Sequence, residues 1–67
     1  MKQCDRTIKE TIKLTEKMLS LAERGEQAME DNGCALLYSV LRDSGYKIKK
    51  LAEQEKQAHI KKGWWKE

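Results

Sequence analysis

Thiol and imidazole side chains are the groups in this sequence that could act as nucleophiles or soft metal ligands: Cys4, Cys34 and His59. A thiolate beside an imidazole can form a catalytic pair, and Cys4 with His59, doubled in a dimer, could bind zinc tetrahedrally. The sequence offers no third group to orient a catalytic pair, and the spacing is not that of a zinc finger. We therefore predict a protein that is not an enzyme, with no catalytic residues and no cofactor. Cys4 and His59 stay as metal-ligand candidates, although a histidine at the edge of a helix face explains His59 more simply.

A second group of residues that could bind a ligand lies near the C-terminal end, where lysines are followed by two tryptophans. Its members are Lys56, Lys61, Lys62, Trp64, Trp65 and Lys66. Ammonium groups attract phosphates, and indole rings stack on bases or lie at membrane interfaces. Acidic residues at 53, 55 and 67 interrupt the positive charge, so we favour a solvated basic face. Binding of nucleic acid or of an acidic membrane surface is the alternative hypothesis, and nothing indicates a small-molecule substrate.

The composition predicts one small helical domain. The chain has 67 residues, of which 37% are charged and 39% hydrophobic, and it lacks proline and phenylalanine. Ala, Glu, Lys and Leu dominate, whereas the β-branched and aromatic runs typical of strands are missing. No apolar run approaches the ~20 residues that span a bilayer, and the first residues lack the apolar core of a secretory signal. We therefore predict a cytoplasmic protein with reduced thiols, whose net charge of +3 permits anionic partners without requiring them.

The stretch from residue 34 to residue 59 carries the clearest helical pattern. Eight residues follow one another at steps of three and four, which places them on one stripe of an α-helix. We call this stripe the seam; it consists of Cys34, Leu37, Leu41, Ser44, Ile48, Leu51, Glu55 and Ala58. Such a stripe packs against other helices. Ser44 and Gly45 are interpreted as a notch where another helix crosses closely, with a kink or a ligand groove as the alternative.

A turn at residues 30–33 predicts two antiparallel helices, because Asp, Asn and Gly tolerate left-handed backbone and the connection is short. The predicted fold class is all-α, an antiparallel helical hairpin. Its parts are helix 1 at about 5–30, the turn at 31–33, helix 2 at about 34–62 and a tail at 63–67. Asp5 is a candidate N-cap for helix 1, and Thr7 is the alternative, because Glu10 three residues later completes the pattern of a capping box.

Two glycines within and after the helices carry specific predictions. Gly25 is interpreted as an internal residue that permits a neighbour to approach closely, with an early end of helix 1 as the alternative. Gly63 is predicted to end helix 2. Trp64 would then fold back on Ile60 or His59, the contact that accompanies such helix ends.

Pairing around the turn places residues opposite one another when their numbers sum to about 63 or 64. Cys4 should therefore lie opposite His59 at the open end of the hairpin. Cys4 and Cys34 should lie at opposite ends of helix 1, much farther apart than the ~7 Å between Cα atoms that a disulfide permits. We predict two unbridged thiols.

The hydrophobic pattern of helix 1 predicts that the hairpin does not stand alone. Its apolar residues cover an arc of ~200°, wider than the usual apolar stripe, and exposed apolar surface of this extent marks an association site. The predicted interface residues are Ile8, Ile12, Leu19, Leu37, Leu41, Ile48 and Leu51. We favour a homodimer that forms a four-helix bundle, with docking on a different protein as the alternative. The predicted function is that of a small interaction or adaptor protein.

Overall fold

Two α-helices form an antiparallel hairpin in the computed structural model, which describes residues 3–28 and 30–65. Helix α1 is Gln3–Gln27 and helix α2 is Asn32–Lys61. The molecule measures 48 × 15 × 14 Å along its principal axes, and no helix among the described residues is long and apolar enough to cross a membrane. The all-α hairpin is confirmed, whereas the pairing of two hairpins in a bundle stays a prediction.

Helix α1 begins two residues before the predicted start and ends before the predicted residue 30. Asp5 does not cap the helix, because its carboxylate is buried and contacts His59 on α2. Thr7 also lies inside the helix, where its hydroxyl donates to the carbonyl of Gln3 at 2.8 Å. At the other end, the N–H of Ala28 is shared between the carbonyls three and four residues earlier, both at 3.2 Å. Such bifurcated bonds are common at helix termini. Residue 29, predicted to be helical, lies outside the described residues.

Helix α2 starts at Asn32 because Asp31 caps it. Asp31 has extended backbone, with φ −147° and ψ 173°. Its side chain accepts a hydrogen bond from the N–H of Cys34 at 2.8 Å, which is the usual geometry of a helix N-cap. The helix therefore begins two residues before the predicted position.

This N-cap makes the start of α2 sensitive to acid. The hydrogen bond from the N–H of Cys34 holds the pKa of Asp31 below its usual value of 3.8. The cap therefore stabilises the fold at pH values above 3.8, and that contribution is lost as the pH falls through the lower pKa of the folded state. Asparagine also caps helices but does not titrate, so Asp31→Asn should remove this part of the acid dependence. Urea unfolding of both proteins at neutral and acidic pH checks it, and identical pH dependence would contradict the assignment.

Gly63 ends α2 in the left-handed conformation, with φ +76°. The N–H of Gly63 donates to the carbonyl of Ile60 and that of Trp64 to the carbonyl of His59, each at 3.0 Å. These are the two bonds of a Schellman motif. The indole of Trp64 meets the imidazole of His59 edge-on, with ring centroids 5.1 Å apart. The predicted terminal glycine and the folded-back tryptophan are confirmed.

The contact between the helices uses the row of residues next to the seam. The buried residues of α2 are Gly45, Ala52 and His59, spaced seven apart. Each follows a seam residue by one position, and successive residues point about 100° apart on a helix. The buried residues that α1 contributes are Asp5, Thr15 and Ala22.

Glycine at positions 25 and 45 lets the two helices approach closely. A Cβ atom on Gly25 would overlap the ring of Tyr38, and one on Gly45 would lie 3.0 Å from Cδ2 of Leu19. The residue numbers of both pairs sum to 63 or 64, as predicted. Gly25 therefore lies within α1 at a close approach, and Gly45 forms the predicted notch.

Replacing Gly25 with alanine should destabilise the hairpin, although alanine is the better helix former by ~1 kcal/mol. The added methyl group would overlap Tyr38 and separate the helices, which costs roughly 1–3 kcal/mol. Combining Gly25→Ala with Tyr38→Ala removes the overlap. Tyr38→Ala should therefore lower the melting temperature less in the Gly25→Ala protein than in the parent protein. Thermal unfolding of the two single variants and the double variant measures this coupling. A stabilised Gly25→Ala protein would show that the close contact does not exist.

Candidate functional site

Each helix carries a further row of residues beside the row that forms the hairpin contact. In α2 this row is the seam, of which Leu37, Ile48 and Leu51 are exposed. In α1 a second set of residues recurs at steps of three and four and so shares one side of the helix. Its members are Cys4, Thr7, Thr11, Leu14, Met18 and Leu21.

A shallow groove of about 270 Å³ joins these two rows on one flank of the hairpin. Its lining residues are Cys4, Thr7, Ile8 and Thr11 from α1 with Ile48, Leu51, Ala52 and Glu55 from α2. The groove joins the α1 row and the seam in the half of the hairpin away from the turn. The spacing of Leu14, Leu21 and Leu37 continues the two rows toward the turn, so that together they form one surface. We call this surface the apolar face.

The apolar face exposes side chains that a protein core would normally bury. Exposed fractions of 47% to 58% are found for Leu14, Leu21, Leu37, Leu51 and the adjacent Val40. Among the described residues, the apolar side chains that the hairpin contact buries are two alanines, at positions 22 and 52. The hairpin thus buries two alanine methyl groups, half-buries Leu19 and Leu41, and leaves the leucines of the apolar face in contact with water.

The opposite flank of the hairpin is polar. Tyr46 lies nine residues after Leu37, which is two and a half helical turns, so the two side chains leave α2 on opposite sides. Tyr46 shares a groove with Glu23, Glu26 and Arg42, and Arg42 forms an ion pair with Glu26 across the helices. Charged side chains therefore collect on this flank, which we call the polar flank, while the exposed Ile60, 14 residues after Tyr46, leaves α2 on the same side.

At the open end, Asp5 and His59 form a buried polar contact between the helices. The exposed fraction of the side chain is 0% for Asp5 and 7% for His59. A carboxylate only accepts hydrogen bonds, so Nδ1 of His59 donates to Oδ1 of Asp5. The other ring nitrogen, Nε2, lies 3.7 Å from Oε2 of Glu55. This contact fixes the relative position of the helices where the chain is not joined by the turn.

The imidazole of His59 is enclosed rather than presented to a ligand. Asp5 lies at Nδ1, Glu55 faces Nε2, and the ring of Trp64 covers the side from the C-terminal tail. Cys4 precedes Asp5 and points about 100° away from it, into the groove of the apolar face. The predicted Cys4–His59 pair is therefore replaced by an Asp5–His59 pair, one step along the register.

Metal-ligating side chains do not cluster in the part of the chain that the structure describes. No group of three or more His, Cys, Asp or Glu residues with the geometry to hold a metal ion occurs there. Cys4 and Cys34 are both unbridged, with Cys4 exposed and Cys34 half-buried.

The candidate anion-binding residues form two Lys–Trp contacts. Nζ of Lys62 lies 4.5 Å from the ring centre of Trp64, and Nζ of Lys56 lies 5.1 Å from that of Trp65. Both distances are within the ~6 Å of a cation–π interaction. The indole rings are thus partly covered by lysines of the same chain. Lys66, a further candidate, lies outside the described residues.

The structure divides the predicted interface residues into two groups. The exposed group, on the apolar face, contains Leu37, Ile48 and Leu51. The half-buried group, which the hairpin itself partly covers, contains Ile8, Ile12, Leu19 and Leu41.

Two features of these sites were not predicted from the sequence. The sequence position of Asp5 favours a helix cap, although its number and that of His59 sum to 64, the register of the hairpin. The exposed row of α1 was hidden within the wide apolar arc, because Thr7 and Thr11 continue the spacing of Leu14 with polar side chains.

Comparison with known proteins adds no assignment to this geometry. No protein-family model matches the chain, and neither a curated protein nor a solved structure matches it.

Proposed function

We propose that this chain is a small, non-enzymatic interaction protein that binds a second copy of itself through the apolar face. Two hairpins joined in this way form a four-helix bundle, in which each helix buries one side against its neighbours. A twofold axis lets the same surface serve both partners. The observation that carries this proposal is the very small core of the single hairpin.

A core of this size does not hold a chain of 67 residues by itself. In chains shorter than about 70–80 residues, even a well-packed core rarely contributes more than roughly 3–5 kcal/mol to the free energy of unfolding. The apolar part of this one consists of Ala22 and Ala52 among the described residues. Complete burial of a leucine is worth about 1.5–3 kcal/mol, and Leu14, Leu37 and Leu51 are all more than half exposed. Covering the apolar face is therefore the largest available source of stability.

A second hairpin fits the apolar face in area and in charge. One whole side of the hairpin, 48 Å long and 15 Å wide, has an outline of roughly 700 Å², which sets the upper limit for the apolar face and is close to the ~800 Å² that each partner contributes to a specific interface. Glu55 is the charged residue in the groove lining. Charge therefore does not select an oppositely charged partner, whereas a second copy offers an apolar surface of the same length.

Light scattering on the reduced protein across a dilution series tests this proposal. We expect twice the chain mass of 7.8 kDa at high concentration, with dissociation on dilution. A mass of 7.8 kDa at every concentration would overturn the proposal and leave the apolar face for a different protein.

Anion binding is the second candidate function, favoured by the lysines that collect around the tryptophans. Lys56 and Lys62 hold positive charge against Trp65 and Trp64 at one end of the hairpin. Contacts between lysines and phosphates release counterions, so such binding falls steeply with added salt. Tryptophan fluorescence titrated with single-stranded DNA or acidic vesicles at low salt checks it. An unchanged signal would remove this candidate.

A further inference from the structure

The apolar face changes in polarity along the hairpin. Toward the turn it exposes large apolar side chains such as Leu21 and Leu37. Toward the open end the groove lining mixes apolar side chains, among them Ile48 and Leu51, with two threonines and one charged residue, Glu55. The face is therefore directional, because its charged groove residue lies toward the open end.

Two twofold arrangements could bring a pair of these faces together. If the twofold axis runs along the helices, both turns lie at the same end of the bundle. If the axis runs across the helices, the turns lie at opposite ends. Neighbouring helices are antiparallel in both cases, so helix direction does not distinguish them. The two arrangements differ in which part of one face meets which part of the other.

With both turns at one end, residues at the same distance from the turn meet. Leu14 of one copy then lies at the level of Leu51 of the other, because both are equally far from the turn in the register of the hairpin. With the turns at opposite ends, the leucines of each turn end cover the threonines of the other open end. Glu55 would then lie between the levels of Leu37 and Leu41 in the second copy, because facing residues of two centred α2 helices have numbers that sum to 93.

We infer that the second copy binds with its turn at the same end, an inference that rests on the proposed function. The side chain of Glu55 is 66% exposed in the single hairpin. Covering its carboxylate with leucines would remove water without supplying a hydrogen-bond donor, which is strongly unfavourable for an ionised group. With the turns together, Glu55 lies at the level of Thr7 and Thr11 of the second copy, while the leucines near the two turns cover each other.

Distances between spin labels on the two copies test the arrangement. In Cys4→Ser with Cys34→Ser and Asn32→Cys, the label lies close to the turn on the side of α2 that carries Tyr46, because Asn32 is exposed and precedes Tyr46 by 14 residues. In Cys4→Ser with Cys34→Ser and Lys61→Cys, the label lies close to the open end on the exposed surface of α2. Pulsed dipolar spectroscopy on each labelled protein, with its mass checked by light scattering, gives the separation between copies at both ends.

The two arrangements predict different distances for both label pairs. With helices 8–10 Å apart in a bundle, turns at the same end place each pair roughly 15–30 Å apart. Turns at opposite ends place each pair about 40 Å apart, because the hairpin is 48 Å long and both labels lie near its ends. Two short distances support the inference. Two long distances in a protein of dimer mass overturn the inference and leave the proposed function standing, whereas monomer mass overturns both.

Discussion

Leu37→Lys should shift the dimer toward monomers by at least two orders of magnitude in the dissociation constant. Leu37 is 58% exposed in the hairpin, so covering it in the dimer contributes about 1–1.5 kcal/mol per copy. Both copies lose this contribution, and ~3 kcal/mol corresponds to roughly a hundredfold weaker affinity. The ammonium group adds to the loss, since it would enter an apolar contact without a partner. Light scattering across a dilution series measures the shift.

Tyr46→Lys is the matched control for this change. Tyr46 is also 58% exposed, lies on the same helix and gains the same charge on substitution. It belongs to the polar flank beside Glu23 and Glu26, where a lysine is readily accommodated. We expect this variant to keep the mass and dissociation constant of the parent protein. Equal loss of association in the two variants would place the interface elsewhere or attribute the effect to charge alone.

Asp5→Ala should lower the free energy of unfolding by about 3 kcal/mol, because removing one partner of a buried pair leaves the other without compensation. Asp5 is fully buried and His59 nearly so. Asp5→Asn should have a smaller effect, since the amide oxygen can still accept from the imidazole. Urea unfolding at one fixed protein concentration measures all variants, which matters because association adds to apparent stability.

Glu55→Gln provides the comparison for Asp5→Ala. Glu55 also lies near the imidazole of His59, but its side chain is 66% exposed. Exposed ion pairs contribute about 0–1 kcal/mol, so this variant should stay within that range of the parent. An Asp5→Ala protein as stable as Glu55→Gln would mean that the buried contact does not hold the open end together.

Much of the fold could be predicted from local sequence chemistry. The residues at 30–33 mark a turn, and Gly63 can adopt the left-handed backbone conformation in which many helices end. The register follows from the turn, which is why the pairs formed by Gly25 with Tyr38 and by Gly45 with Leu19 agree with it. Each of these predictions depends on residues close in sequence or on the geometry of a single turn.

The rotation of the helices about their own axes was harder to predict. The seam was identified from its large apolar residues, but the hairpin contact uses the next row, which contains Gly45 and Ala52. Small residues allow backbones to approach and so form the tight contact, whereas the seam leucines remain outside it. Periodicity locates both rows without showing which one a given neighbour occupies. The buried Asp5 was missed for a related reason, because an acidic residue in a first helical turn is equally typical of a cap.

Contacts between copies are the most direct test of the central claim that the apolar face is covered by a second copy of the chain. In an equal mixture of ¹³C-labelled and unlabelled reduced protein, isotope-filtered nuclear Overhauser effects report only contacts between different molecules. We predict such effects at the methyl groups of Leu14, Leu37 and Leu51, and none at the ring of Tyr46. Intermolecular effects confined to Tyr46 and its polar flank, or their complete absence at high protein concentration, would contradict the claim.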